Sequence, residues 1–291
     1  MLTILAKLVS ESLLSLYPVI LKKIKVSIVN QIWTRLISYF IVSSLLIDRD
    51  FIKTVIFNRI AILFSAINFM HIVTTYIGFK ILDSGVALSV FLTFPIMILI
   101  METKRFDIRY LIILLGLFLL SFDNKKIDEN KEKIDENKEK GYKNRYWIGI
   151  PIMLLSALTE ALIFFCVRRI HTTNSWNHMF IGYLYPTILF TVYFIYYYCK
   201  NVLWSEGQKK HTFHRLTVIL LLINCAIGTV GYFLRFYSAY RLDAYLYSVL
   251  SYFLIITGYL YGYYFDHQII TWNKILGTVI IVISSIFILR K

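Results

Sequence analysis

Apolar stretches of about twenty residues recur from one end of the chain to the other, and charged residues fall mostly in the breaks between them. Reading those breaks at charges, glycines, prolines and asparagine clusters predicts ten helices. They cover residues 3–22, 27–47, 57–80, 84–101, 108–122, 146–169, 177–199, 215–239, 244–265 and 271–289. At 1.5 Å of rise per residue, such segments match about 30 Å of hydrocarbon. The fifth is the shortest and fits as a thin or tilted span. The expected fold is an all-α integral membrane protein with ten transmembrane helices, and an even count puts both termini on one side.

One extended polar stretch, Asp123 to Arg145, interrupts this pattern at the midpoint of the chain. It divides the sequence into a first five-helix repeat (1–122), a charged linker (123–145) and a second five-helix repeat (146–291). Within the linker, Lys126-Ile-Asp-Glu-Asn-Lys-Glu132 is repeated without change as Lys133-Ile-Asp-Glu-Asn-Lys-Glu139. One apolar residue in seven leaves no face to bury, so a solvated linker is expected rather than a coiled coil. A longer echo appears on shifting the chain by 160 residues: Ala66-Ile67 falls on Ala226-Ile227, and Leu82-Asp83 on Leu242-Asp243. Five spans are an odd number, so the second half must enter the membrane with the opposite orientation to the first. Inverted repeats of this kind generate states open to either side, with a solute site near the midplane where the halves meet.

Composition sharpens the class. With 58% hydrophobic and 16% charged residues, the chain is too apolar to be a water-soluble domain with a single anchor. A net charge of +14 would suit nucleic acid, but the basic residues cluster at segment ends, as in Lys22, Lys23, Lys25 and Lys104, Arg105. No polar stretch is long enough for a nucleic-acid module, so no nucleic-acid partner is expected. The first apolar segment contains Lys7 and Glu11 and lacks a small-residue cleavage site after it, which favours a first span over a removable signal. Cys166, Cys199 and Cys225 have no metal-type spacing, and His211 and His214 form only one HxxH in a loop. No Walker sequence is present. Neither a metal, nor a cofactor, nor an enzyme activity is expected.

The candidate chemistry lies in the few polar groups placed inside spans. Glu11 and Glu160 are the acidic residues well inside predicted helices, one in the opening helix of each half. A carboxylate in hydrocarbon is costly, so it faces a cavity, binds a partner or titrates; for Glu11, Lys7 one turn away is an obvious partner. Glu160 is followed eight residues later by Arg168. The third helix presents Asn68, His71 and Thr75 on one face, and the 160-residue shift matches them to Gly228, Gly231 and Arg235. These faces are expected to oppose each other across a cavity, with Arg235 either holding an anionic group or snorkelling to headgroups. Arg35 stands early in the second helix, either binding substrate or closing the cavity's end. Tyr245 and Tyr252 lie seven apart and could contact substrate, although aromatic packing is the default for tyrosine here. Gly258-xxx-Gly262 should let a neighbouring helix approach closely.

Several of these segments resemble the drug/metabolite transporter superfamily, particularly its ten-span EamA-like members. Arg35 in Trp33-Thr-Arg-Leu-Ile-Ser-Tyr-Phe stands where that family commonly has an Arg early in the second span. Asp83-Ser-Gly-Val-Ala-Leu-Ser with Pro95 is similar to the start of its fourth span. Gly262-Tyr-Tyr-Phe-Asp266 followed by Gly277-Thr-Val-Ile-Ile-Val-Ile is similar to its ninth-to-tenth junction. The chain departs from the family in having Asp266 where Glu is usual and no proline in the ninth span. The resemblance implies secondary transport of a small polar or amphipathic metabolite without ATP, with cytoplasmic termini. The spacing from Glu160 to Arg168 is also like that in the family's small multidrug relatives. The partners expected are the lipid bilayer and a small-molecule solute, with a homodimer left open. A membrane-embedded lipid-modifying enzyme and a non-transporting membrane scaffold remain as alternatives.

Overall fold

A computed structural model describes residues 1–82, 84–121, 136–200, 215–266 and 271–289. Among these residues the helices are α1 (Leu2–Lys23), α2 (Ile28–Leu46), α3 (Arg49–Val55), α4 (Arg59–Ile81), α5 (Ser84–Phe91), α6 (Phe94–Thr103), α7 (Ile108–Ser121), α8 (Glu136–Arg169), α9 (Ser175–Tyr198), α10 (Arg215–Arg241), α11 (Ala244–Ser251), α12 (Phe253–Asp266) and α13 (Trp272–Leu289). Asp83, most of the charged linker and the His211/His214 loop lie outside the described residues.

Each of the ten expected segments is helical, with three differences. First, the break after residue 47 holds a short helix, α3, whose Arg49, Asp50 and Lys53 give it a charged side too polar for a span. Second, α8 begins at Glu136, so the last part of the polar stretch continues the helix that follows it. Third, the fourth and ninth segments are each broken once. Between α5 and α6, Pro95 lacks an N–H, and its ring excludes the helical carbonyl four residues back. Thr93 turns back on Val90 through both its backbone N–H (3.2 Å) and its hydroxyl (2.9 Å). Between α11 and α12 there is no proline. The chain tightens instead through Tyr252 N–H to Val249 O (3.1 Å) and Ile255 N–H to Tyr252 O (3.0 Å).

The helix starts are set by short polar side chains. Ser27 accepts from Asn30 N–H, Asn58 from Ile60 N–H, Asn174 from Trp176 N–H and Asp243 from Leu246 N–H, each satisfying an otherwise unpaired donor.

By length and composition, seven helical stretches among the described residues can cross a membrane: Leu2–Leu21, Arg59–Ile81, Val86–Thr103, Trp147–Arg169, Ser175–Tyr198, Arg215–Arg241 and Ala244–Phe265. The expectation of ten is met at that standard by seven. Two of the remaining helices, α7 and α13, have short apolar runs, and α2 interrupts its own with Asn30, Gln31 and Arg35 in the first two turns. The surface fits a hydrocarbon solvent. Leu189, Val192 and Ile195 of α9 and Leu216, Ile219 and Leu222 of α10 are exposed, whereas Glu11, Arg35, His71, Glu160 and Arg235 are buried.

The packing pairs organise the bundle. α4 lies along α8, and α1 lies along α10; α2 faces α9, and α7 faces α13. α5 and α6 flank α8, while α11 and α12 flank α1. The α7–α13 contact is close because Gly116 meets Gly277: a Cβ on Gly116 would sit 3.0 Å from the Gly277 carbonyl oxygen and 2.7 Å from Ile281 Cγ1. Gly258 likewise admits Leu88 of α5, whose Cδ2 lies 3.2 Å from where its Cβ would be.

Gly116→Leu should therefore force α7 off α13 and destabilise the fold by about 1–3 kcal/mol, the usual cost of overpacking. Thermal unfolding of the purified protein should show a lowered midpoint. Leu115→Ala, on the lipid-facing side of the same helix, should leave that midpoint nearly unchanged.

Candidate functional site

Lys7 and Glu11 stand one turn apart on α1, and Lys7 Nζ donates to Glu11 Oε1 at 2.5 Å. The other oxygen of Glu11 accepts from Arg235 Nη2 of α10 at 2.7 Å. Arg235 Nη1 donates to Glu160 Oε1 of α8, also at 2.7 Å. Glu160 Oε2 lies 3.3 Å from His71 Nε2 of α4. All five side chains are at most 2% exposed, so four helices are joined through groups that have left water behind. Two cations face two carboxylates, and this part of the interior is electrically balanced.

Local sequence explains the alignment. Gly231 lets α1 rest against α10: a Cβ there would lie 2.9 Å from Leu14 Cδ2, and Ser10 Oγ donates to the Gly231 carbonyl at 2.7 Å. One turn beyond Gly231, Arg235 comes opposite Glu11. On the other side, Thr75 Oγ1 bonds Ser156 Oγ at 2.6 Å and fixes α4 against α8, one turn from Glu160.

The histidine has a definite polarity. His71 Nδ1 faces the Ser156 carbonyl at 3.2 Å, and a carbonyl only accepts, so Nδ1 carries the proton. Nε2 of the neutral ring is then an acceptor, facing both the Tyr232 hydroxyl at 3.1 Å and Glu160 Oε2. Glu160 Oε2 accepts no hydrogen bond. A single added proton on either atom would bridge the histidine and the carboxylate.

A second cation lies beyond Tyr232. The Arg35 guanidinium is 1% exposed and stacks near the rings of Tyr17, Tyr39, Tyr76 and Tyr232, with the Tyr232 centroid closest at 4.6 Å. It donates to the hydroxyls of Tyr17 (3.3 Å) and Tyr183 (3.1 Å), and the hydroxyls of Tyr17 and Tyr76 are bonded to each other. The Arg235 guanidinium is 5.6 Å from the Tyr232 ring, so this one tyrosine separates the two arginines.

Of the residues expected from sequence, Glu11, His71, Thr75, Glu160 and Arg235 come together, and Arg35 stands across Tyr232 from them. Asn68 turns away, its Nδ2 donating to the Gly182 carbonyl of α9 at 2.8 Å. Tyr245 is half-buried; Tyr252 is buried with an unpartnered hydroxyl, and neither touches the charged groups through a described bond. One expectation is corrected, and two readings left open are settled. The Asn68/His71/Thr75 face packs on Gly182 of α9 and Ser156 of α8, with His71 reaching Tyr232 of α10, and does not oppose the α10 glycines across an open space, because such small and hydroxyl side chains let the helices close. Arg235 does not snorkel, since two carboxylates hold it inside. Arg168, eight residues after Glu160, pairs with Glu102 at 3.7 Å in a half-exposed position.

Sequence reasoning missed Tyr17, Tyr39, Tyr76, Tyr183, Tyr232 and Tyr247, the last lying under Lys7 Nζ at 3.4 Å from the ring centroid. They come from six helices and share no periodicity, so among so many tyrosines nothing in the order marks them. The membership of Lys7 was signalled only by its turn spacing from Glu11.

A crystal structure of a protein 12% identical in sequence superposes with a TM-score of 0.63, over 98% of this chain and 94% of the other, which is a likeness of fold. No curated protein matches the chain. The EamA-like transporter family model matches residues 147–290, from the visible start of α8's apolar run to the end of α13. Over that second half the chain matches the EamA-like transporter family, and the protein is a multi-pass integral membrane protein.

Proposed function

We propose that the protein is a secondary transporter of a small polar or amphipathic solute. It works by alternating access of two inverted five-helix halves, and the Lys7–Glu11–Arg235–Glu160–His71 cluster is its coupling site. Residues 1–122 and 146–291 are the halves in this reading, each of five spans, with 123–145 between them.

The packing supports the inverted repeat. Exchanging the halves turns the α4–α8 pair into the α10–α1 pair and leaves α2–α9 and α7–α13 paired with each other. The break that begins at Leu92 and the break at Tyr252 are 160 residues apart, the same offset as the sequence echo. Helix ends repeat it too: Leu82 N–H bonds Gly78 O at 2.9 Å, and Leu242 N–H bonds Ser238 O at 2.8 Å.

The observation that carries the function is the contact between Glu160 Oε2 and His71 Nε2, because it offers a place for one proton between the halves, beside a salt bridge inside the second half. Protonation there removes one of Arg235's two anionic partners. α8 is then held to α10 less tightly, while Glu11 keeps Arg235 compensated. A proton bridging His71 and Glu160 thus tightens a contact between the halves and loosens one inside the second half, so proton binding changes which helices move together, as ion coupling requires.

In sealed vesicles, an imposed pH gradient should drive uptake of a solute from a panel of small metabolites. Glu160→Gln should abolish the gradient dependence while leaving the protein folded. Unchanged rate and pH dependence in Glu160→Gln would defeat the coupling reading. No flux of any solute, together with stable capture of a partner protein, would favour a scaffold, and turnover of lipid would favour an enzyme.

The charge balance gives a separate expectation. Arg235→Met alone strands two carboxylates with only Lys7 and should cost about 3–5 kcal/mol. Adding Glu160→Gln restores one cation to one anion, so the double variant should be more stable than Arg235→Met itself. Thermal unfolding of the three variants beside the parent checks this, and an additive double variant would show that the groups do not act as one network.

A further inference from the structure

We propose that Arg35 and its tyrosines bind an oxyanion group, a carboxylate or phosphate, of the transported solute. This rests on the transport reading above and names the class of substrate.

The charged cluster on α1, α8 and α10 is balanced within itself, two cations against two carboxylates. Arg35 adds a third cation at 1% exposure, and among the described residues no carboxylate pairs with it. A structural arginine inside a membrane protein is normally matched by an acid or by backbone carbonyls. Here its described hydrogen-bond partners are tyrosine hydroxyls, which are neutral. The rings of Tyr17, Tyr39, Tyr76 and Tyr232 spread the charge without cancelling it.

The hydrogen-bond inventory points the same way. Arg35 Nε–H can only donate, is buried, and has no partner. The Tyr39 hydroxyl is buried and has none either. Tyr183 accepts from Arg35 and so retains its own proton to give. Three donors from α2 and α9 therefore sit in one cluster, with Arg35 5.2 Å from the Tyr39 ring and the Tyr39 and Tyr183 rings 4.8 Å apart, that has surplus positive charge and lacks an acceptor, which is what a carboxylate or phosphate oxygen supplies. The Tyr39 hydroxyl reaches its place only because position 228 is glycine: a Cβ there would lie 1.6 Å from it.

The site also lies where a rocking transporter would open. Arg35, Tyr17, Tyr39 and Tyr76 come from the first half, Tyr183 and Tyr232 from the second. Tyr232 passes its hydroxyl to His71 Nε2, whose other neighbour is Glu160. An anion at Arg35 and a proton at Glu160 are thus felt through one shared side chain.

The test uses the full-length protein purified in detergent, at constant ionic strength in chloride. Thermal unfolding is followed with added inorganic phosphate, acetate and benzoate, and with the neutral amides acetamide and benzamide. At least one anion should raise the midpoint by several degrees in a saturable manner, and the amides should not. Arg35→Gln should lose that shift, yet unfold without added anion at or above the parent's midpoint, because an uncompensated charge has been removed. If no anion gives a saturable shift, or if the shift persists in Arg35→Gln, the proposal is overturned. Should Arg35→Gln not fold, Tyr39→Phe keeps the charge and removes one donor; it should weaken the anion's midpoint concentration at least about threefold, and an unchanged midpoint overturns the assignment. Vesicle flux separates the two readings. Uptake of a neutral or cationic solute that needs Glu160 and not Arg35 sinks the anion proposal and keeps transport, whereas no flux beside an Arg35-dependent shift keeps the anion site and sinks transport.

Discussion

The arrangement of the bundle depends on one guanidinium. Arg235 reaches from α10 to a carboxylate on α1 and another on α8, using both terminal nitrogens of its planar fork. Each carboxylate alone would be too costly to keep in hydrocarbon, and so would the arginine. Together, with Lys7 on the far side of Glu11, they make a neutral group that can exist only if the four side chains come from helices already in contact. The packing of α10 on both α1 and α8 is therefore a condition for the charges, and the charges make that packing specific. Leucines could hold the same helices together with less precision about register.

How far the sequence revealed this follows from the physics of each feature. Helix positions were legible because a span needs a long apolar run, and its ends need Ser27, Asn58, Asn174 or Asp243 to satisfy free backbone donors. The two embedded glutamates and Arg235 were legible because charges are rare in such runs and each demands a reason. Their meeting was only a possibility, since sequence does not give the rotation of one helix against another. α3 escaped notice because seven residues with three charges have the composition of a loop. The tyrosine cluster around Arg35 escaped for a different reason: it is assembled from single residues on separate helices, and tyrosine packs well anywhere that has an apolar wall and a polar tip.

Those tyrosines also show how the interior differs from a soluble core. Outside, α9 and α10 present leucine, isoleucine and valine to lipid; inside, hydroxyls, amides and charges satisfy one another. A tyrosine ring can pack like phenylalanine while its oxygen keeps a hydrogen bond, so a polar interior can be built without water and still be taken apart. Trp33 on Phe194 and Trp176 on Phe233, stacked at 4.4 and 4.3 Å, do the purely apolar part of that work nearer the periphery.

The two broken helices are alike in position and unlike in stiffness. At Pro95 the missing N–H makes the bend permanent: no rearrangement of the backbone can supply the bond that would straighten α5 and α6 into one rod. At Tyr252 every backbone donor is present, and the bend is held by short turns that can revert to ordinary helical bonds. The two breaks, 160 residues apart, thus differ as a fixed elbow differs from a spring. In the proposed transport cycle, bending is therefore easier at α11 and α12 than at α5 and α6, and the two directions of opening are unequal in cost.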